Sequence, residues 1–182
     1  MNKITGTIIT LNAEKYILRA IESLKNISDE IIVLDSKSTD STRDIAKSAG
    51  AKVYTQEFLG DGLQKKEASN FASNSWIFSL DADEYLDQDL IDFIKKTDLS
   101  NISHDSLAFR RKNYCADEWI KAAGFYPDYV TRLYDKSRVN YDSRADHAAV
   151  VSKNILKTNC HIVHTTYESM EEWVDKMNFR SS

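Results

Sequence analysis

The chain has 182 residues, 42% of them hydrophobic and 29% charged, the proportions of one globular domain long enough to bury a sizeable core. Its formal net charge of -4 argues against attachment to nucleic acid or an anionic membrane by bulk charge, while leaving a local basic patch open. Cys115 and Cys160 lack metal-type spacing and read as two free thiols in a reducing compartment, with a disulfide as the lesser alternative.

Ile4 to Leu11 is rich in β-branched residues and predicts a first strand ending at Asn12. Tyr16, Ile17, Ala20, Ile21 and Leu24 follow at helical spacing, giving one apolar face for a sheet. Glu30 to Leu34 predicts a second strand that ends on Asp35. The polar loop from Ser36 to Thr42 then offers several N-caps for a helix that starts near Asp40 and stops at Gly50. A short third strand is expected from Ala51 to Tyr54, and a helix enters from the glycine-bearing loop at Gly60.

That helix leads to Trp76-Ile-Phe-Ser-Leu, a buried strand by its apolar run, which delivers Asp81 and Asp83 at its carboxyl end. Ligands of open α/β sheets bind outside the strand carboxyl ends, where acidic side chains hold a divalent cation against phosphates. An acidic pair also caps helices, so taken alone the motif decides nothing. Four strand-then-helix units imply right-handed crossovers, placing Asn12, Asp35 and Asp81 along one edge. The expected fold is α/β, a Rossmann-like, mostly parallel sheet with helices on both faces.

Beyond Leu86 the pattern changes. Leu90, Ile91, Phe93 and Ile94 predict a short helix, and Thr97 to Asp105 is a polar linker. Strands are expected at Leu107 to Tyr114 and Tyr129 to Tyr134, flanking a segment that holds the only proline, Pro127. Met170, Trp173, Val174 and Met177 predict a closing helix whose face suits core or subunit contact, including a homo-oligomer. No stretch has the apolar length of a membrane span, so the expected location is cytoplasmic.

Thr10-Leu-Asn, the run from Glu30 to Thr42, Gln64-Lys, and Trp76-Ile-Phe-Ser-Leu-Asp-Ala-Asp-Glu together resemble family 2 glycosyltransferases with the GT-A fold. Gly124-Phe-Tyr-Pro-Asp-Tyr-Val-Thr-Arg-Leu-Tyr, the histidine of Asp146-His-Ala, and His164 before Thr-Thr-Tyr-Glu narrow the resemblance to lipopolysaccharide-core β-1,4-glucosyltransferases. It covers nearly the whole chain, read as one domain with a nucleotide-sugar half (1–97) and a smaller, mixed acceptor-side half (98–182). Such proteins extend further, so a truncated C-terminus is expected.

The resemblance implies an inverting transfer of a hexose, glucose first, from a UDP-sugar to a lipopolysaccharide core or related bacterial surface glycan at the cytoplasmic face of the inner membrane. By position, Thr10, Asn12 and Glu14 would line the nucleotide pocket, and Asp35 would meet uracil or ribose. Ser36, Ser38 and Asp40 would shape the neighbouring loop, and Lys65 would sit near the diphosphate. Asp81 would meet the ribose or the metal, and Asp83 would hold Mn²⁺ or Mg²⁺, with His147 and His164 each a further candidate ligand or else a histidine hydrogen-bonded within the C-terminal packing. Asp128 is the first choice for the base and Asp146 the second.

Two departures stand out: Ala148 where the family carries Glu after the histidine, and Lys66 where it commonly has Asn. Trp119, Phe125, Tyr126 and Tyr129 are candidates for stacking on an acceptor sugar or for core filling. Arg110, Arg111 and Arg132 are candidates for phosphate or acidic-acceptor contact or for solvated surface. The competing functions are a catalytically silent nucleotide-sugar-binding module, a phosphatase and a nucleotidyltransferase. Tyr85 stands where the phosphatase motif needs Thr or Val, and the glycine-rich triphosphate loop of a nucleotidyltransferase is lacking.

Overall fold

A computed structural model describes residues 3–122, 124–144 and 148–167. β1 (Ile4–Thr10), β2 (Glu30–Asp35), β3 (Lys52–Thr55) and β4 (Trp76–Asp81) form the expected parallel half, in the order β3-β2-β1-β4. The apolar, β-branched runs of β1, β2 and β4 suit strands covered on both faces, whereas β3 at the sheet's edge is only partly buried. α1 (Ile17–Leu24) and α2 (Thr42–Ser48) share a core with Ile4, Ile8, Phe78 and Leu80. Alternation along β4 sends Ile77 to the opposite face, where it meets Ala72 and Tyr134. Gly6 lets α1 approach closely, since a Cβ there would lie 3.0 Å from Leu24 Cδ1.

α3 (Asp61–Asn70) packs on β1 and β2 with an unusual buried face made of Gly62, Gln64, Lys65, Ala68 and Ser69. Its polarity follows from its position: Gln64 donates to Ser36 Oγ at 3.0 Å and Lys65 reaches the end of β4. The strand register sets Thr10 beside Asp35 and Ile9 beside Asp81, so the predicted residues share one edge.

β5 (Glu84–Leu86) and α4 (Gln88–Lys96) follow β4 at once. The Asp87 carboxylate caps α4 by accepting from Gln88 N, and Lys95 and Lys96 sit in its last turn. β6 (Ser106–Cys115), β7 (Glu118–Trp119), β8 (Asp128–Asp135) and β9 (Ile155–Tyr167) complete the sheet. Its order continues β4-β8-β6-β9-β5, with β8 antiparallel to β4 and β6, and β9 parallel to β6. The predicted strands at 107–114 and 129–134 are thus present, whereas β5, β7 and the thirteen-residue β9 are additions to the sequence reading. Among the described residues, Cys115 and Cys160 are not joined in a disulfide, and no helix is long and apolar enough to cross a membrane. The predicted closing helix lies outside the described residues.

Candidate active site

Loops after β1 and β2 interlock at the carboxyl edge. Asn12 adopts a left-handed backbone (φ 49°), which asparagine tolerates better than most residues. Its N–H donates to Ser38 Oγ at 2.8 Å, and its Oδ1 accepts from Thr39 N at 2.8 Å. Asp35, wholly buried, accepts from Ser38 N at 3.0 Å and from the Ser38 hydroxyl. Glu14 accepts from Ser41 N at 3.0 Å, and Asp40 accepts from Glu14 N at 3.2 Å. These residues meet as expected, but the Asp35 carboxylate is engaged in holding the loop and is closed to solvent. Beside them opens a cleft of about 250 Å³ lined by Thr10, Asn12, Tyr16, Ala82 and Asp83.

A chain of charges continues from the end of β4. Asp81 pairs with Lys65 Nζ at 2.9 Å and with Arg132 Nη2 at 2.5 Å. Burial alone would raise its pKa, but Arg132 and Lys65 outweigh that and hold the carboxyl far below its usual range. The same Arg132 nitrogen meets Glu84 at 2.6 Å, and Glu84 also takes Arg111 Nη1 at 3.3 Å. Arg111 in turn grips Asp128 at 2.8 Å through both Nε and Nη2. A cleft of about 970 Å³ borders this chain, lined by Lys65, Asp81, Arg111, Tyr129, Arg132 and Tyr141 among others.

The mixed half of the sheet closes the circuit. Glu84 on β5 and Asn113 on β6 both stand opposite His164 on β9. Asn113 Nδ2 donates to Asp128 Oδ2 at 3.3 Å, and its Oδ1 lies 2.8 Å from His164 Nδ1. His164 Nε2 then faces Asp83 Oδ2 at 3.3 Å. Two candidate ligands 81 residues apart in sequence are thereby brought together. Asp83 also borders a cleft of about 360 Å³ lined by Lys15, Tyr16, Arg19, Tyr85 and Asp117 among others.

Several assignments are corrected or refined. Arg132 is not solvated surface, because it is buried between Asp81 and Glu84 at the edge of the Asp81 cleft. Arg110 points to the face of β6 opposite Arg111, where its guanidinium bonds the Tyr129 and Tyr126 hydroxyls. Trp119 packs edge-on against Tyr126 on that same face. Glu84, adjoining the Asp-x-Asp pair, and Asn113 are site residues that the sequence reading missed. Asp146 and His147 lie outside the described residues.

Asp87, Asp89 and His161 also converge. Lys112 binds Asp87 at 2.6 Å, while His161 is held by Asp89 at 2.6 Å and the Tyr126 hydroxyl at 3.1 Å. Their ligand atoms are already engaged.

A carboxylate pair at a strand's carboxyl end, joined by a histidine and cations, suits nucleoside diphosphate chemistry, and the family model of glycosyl transferase family 2 matches residues 7–159. The chain belongs to that family. An uncharacterised glycosyltransferase of Rickettsia typhi is 38% identical across 100% of this chain and 66% of its own length. LpsC of Rhizobium meliloti, a lipopolysaccharide core biosynthesis glycosyltransferase, is 31% identical over 81% of this chain and 57% of its own length. The chain spans about two thirds of the length of the rickettsial relatives.

Among solved structures, S. aureus TarS in complex with UDP-GlcNAc superposes with a TM-score of 0.67 at 17% identity, covering 94% of this chain and 60% of that one. Glucosyl-3-phosphoglycerate synthase of Mycobacterium tuberculosis, with Mn²⁺, UDP and phosphoglyceric acid, gives 0.52 at 23% identity over 61% and 44%. Such likeness establishes the fold, which is GT-A. Family membership sets aside the phosphatase and nucleotidyltransferase readings.

Proposed function

We propose that this chain is the donor- and metal-binding domain of an inverting glycosyltransferase that moves a hexose, glucose first, from a UDP-sugar to a lipopolysaccharide core or related glycan. The observation that carries the reading is the 3.3 Å approach of Asp83 to His164 beside the clefts at the strand carboxyl edge. An oxygen and an imidazole nitrogen this close fit one divalent cation, and the mixed pair suits Mn²⁺ better than the harder Mg²⁺. Bound there, the cation supplies Lewis-acid stabilisation of the departing UDP. Binding of Mn²⁺ and UDP by GT-A proteins of similar fold supports this assignment.

The chain's own residues supply the rest. Asn12, Ser38 and Asp40 shape the nucleoside end, with Asp35 fixing Ser38 from beneath. Lys65, already ionised against Asp81, adds a cation on the diphosphate side. Arg111 and Asn113 both donate to Asp128 Oδ2, and among the described residues Oδ1 accepts no hydrogen bond. We assign Oδ1 the proton of the acceptor hydroxyl as that oxygen attacks the anomeric carbon and the bond to UDP breaks. The sugar configuration inverts, and UDP leaves with the bonding electrons. Action at the cytoplasmic face of the inner membrane is part of this reading, supported by the similarity to LpsC, a lipopolysaccharide core biosynthesis glycosyltransferase.

Ala148 favours one second reading. It borders the Asp81 cleft with a methyl group where the resembled family carries a carboxylate, as a silent UDP-sugar-binding module would. Calorimetric titration of UDP with and without Mn²⁺, on wild type and Asp83→Ala, tests both. Metal-dependent binding lost in the variant is expected, followed by transfer when UDP-sugars are supplied. Binding without turnover would select the silent module, and a folded wild type that never binds UDP would overturn the UDP-sugar reading.

A further inference from the structure

The Asp83–His164 approach raises a chemical problem that Asn113 solves. A neutral imidazole carries one proton, and a metal-ligating nitrogen must be the bare one. Left alone beside a carboxylate, His164 would place its proton on Nε2 and donate it to Asp83 Oδ2, 3.3 Å away. That tautomer would satisfy both groups and close the site to a cation.

The amide of Asn113 points the other way. Its Nδ2 faces two acceptors that carry no proton to give, the Phe125 carbonyl at 3.2 Å and the Asp128 carboxylate at 3.3 Å. Those neighbours fix the amide orientation, because a flipped amide would set its oxygen against two other oxygens. Oδ1 is therefore the atom 2.8 Å from His164 Nδ1, and an oxygen there requires a proton on Nδ1. Asn113 is buried, 4% exposed as a residue, so water competes little for this bond.

We infer that Asn113 is a positioning residue that holds His164 in the Nδ1–H tautomer, leaving the Nε2 lone pair directed at Asp83 as half of a cation site. The inference rests on the proposed metal role of Asp83 and His164. It assigns Asn113 no contact with substrate. Because Asn113 also holds Asp128, one amide ties the orientation of the ligand pair to that of the assigned base.

Nitrogen-15 NMR of the ring nitrogens in metal-free protein, near pH 8.5 where an ordinary imidazole is neutral, reads the proton's position directly. Wild type is expected to carry it on Nδ1. Asn113→Leu is expected to move it to Nε2 and to weaken Mn²⁺ binding by about 10- to 100-fold, the usual effect of losing a partner behind a metal ligand.

A wild-type proton on Nε2 overturns the inference without any variant. So does an Asn113→Leu protein that folds and keeps the proton on Nδ1. Failure of wild type to bind Mn²⁺, with the proton found on Nδ1, would instead overturn the metal reading, so the two failures are separable.

Discussion

Arg132 donates to Glu84 at 2.6 Å in the interior, the arginine side chain 5% exposed and the glutamate fully buried. The same guanidinium holds Asp81, and Glu84 also receives Arg111, so this one pair joins the Asp-x-Asp strand to Asp128. Removing one member of a buried pair leaves the other charged and unsolvated, at a cost of roughly 3–5 kcal/mol. Glu84→Ala should lose about that much stability, and Glu84→Gln less, since it keeps shape and one acceptor oxygen. Denaturant midpoints of the two variants check the order. A Glu84→Ala protein as stable as wild type would contradict the buried network.

Gly62 sits in the first turn of α3, where an alanine would ordinarily add helix stability of about 1 kcal/mol. Here the sign reverses. A Cβ at this position would lie 2.1 Å from the Asp142 carbonyl oxygen and 2.9 Å from that of Arg144, both backbone atoms. The Gly62 N–H also donates to Arg144 O at 3.0 Å, so helix and loop have no slack between them. Gly62→Ala should destabilise by about 1–3 kcal/mol through forced backbone movement. Thermal melting of the variant decides it, and an unchanged or raised midpoint would show that the loop yields freely.

How much was legible in the sequence divides at Leu86. Before it, apolar runs are clean for β1, β2 and β4, which are buried, and for α1, which has one core face, while the half-exposed β3 and the polar-faced α3 could be placed only from their position between turn and glycine signals. After it, β9 escaped detection because Lys157, Asn159, His161 and His164 interrupt its apolar residues and two register shifts against β6 break its alternation. Those polar residues are what the site needs. Arg132 could not be told from a surface arginine without knowing that β8 inserts beside β4, and Asn113 had no motif at all. Glu84, next in sequence to the Asp-x-Asp pair, was missed although its place beside that pair was a signal that could have found it.

Asp128 should separate binding from turnover. Arg111 and Asn113 hold its Oδ2, and Asn at this position keeps the shape while lacking a basic oxygen. Once a donor and acceptor are found, Asp128→Asn is expected to cut kcat by about 10²- to 10⁴-fold, the usual contribution of a general base, with little change in UDP affinity. Transfer assays beside UDP calorimetry test this. Near-wild-type turnover would move the role to another carboxylate, with Asp146 the next to substitute.

At the opposite end of the sheet, Glu30 ties together three segments. It accepts from Thr5 of β1 at 2.8 Å, from Ser73 N at 2.9 Å, and from Lys52 of β3 at 2.6 Å. Burial works against its ionisation, but Lys52, Ser73 and Thr5 prevail and lower its pKa from 4.5 to about 2. A carboxyl more acidic in the folded than in the unfolded chain stabilises fully above the unfolded pKa, and the contribution is lost as pH falls from 4.5 through about 2. The stabilisation is on the order of 2 kcal/mol after allowance for the solvent-exposed lysine. Glu30→Gln should therefore be less stable than wild type at pH 6, with the gap narrowing at pH 3. Urea midpoints of both proteins at the two pH values measure it, and a gap that does not change with pH would mean that the Glu30 charge contributes nothing to folding.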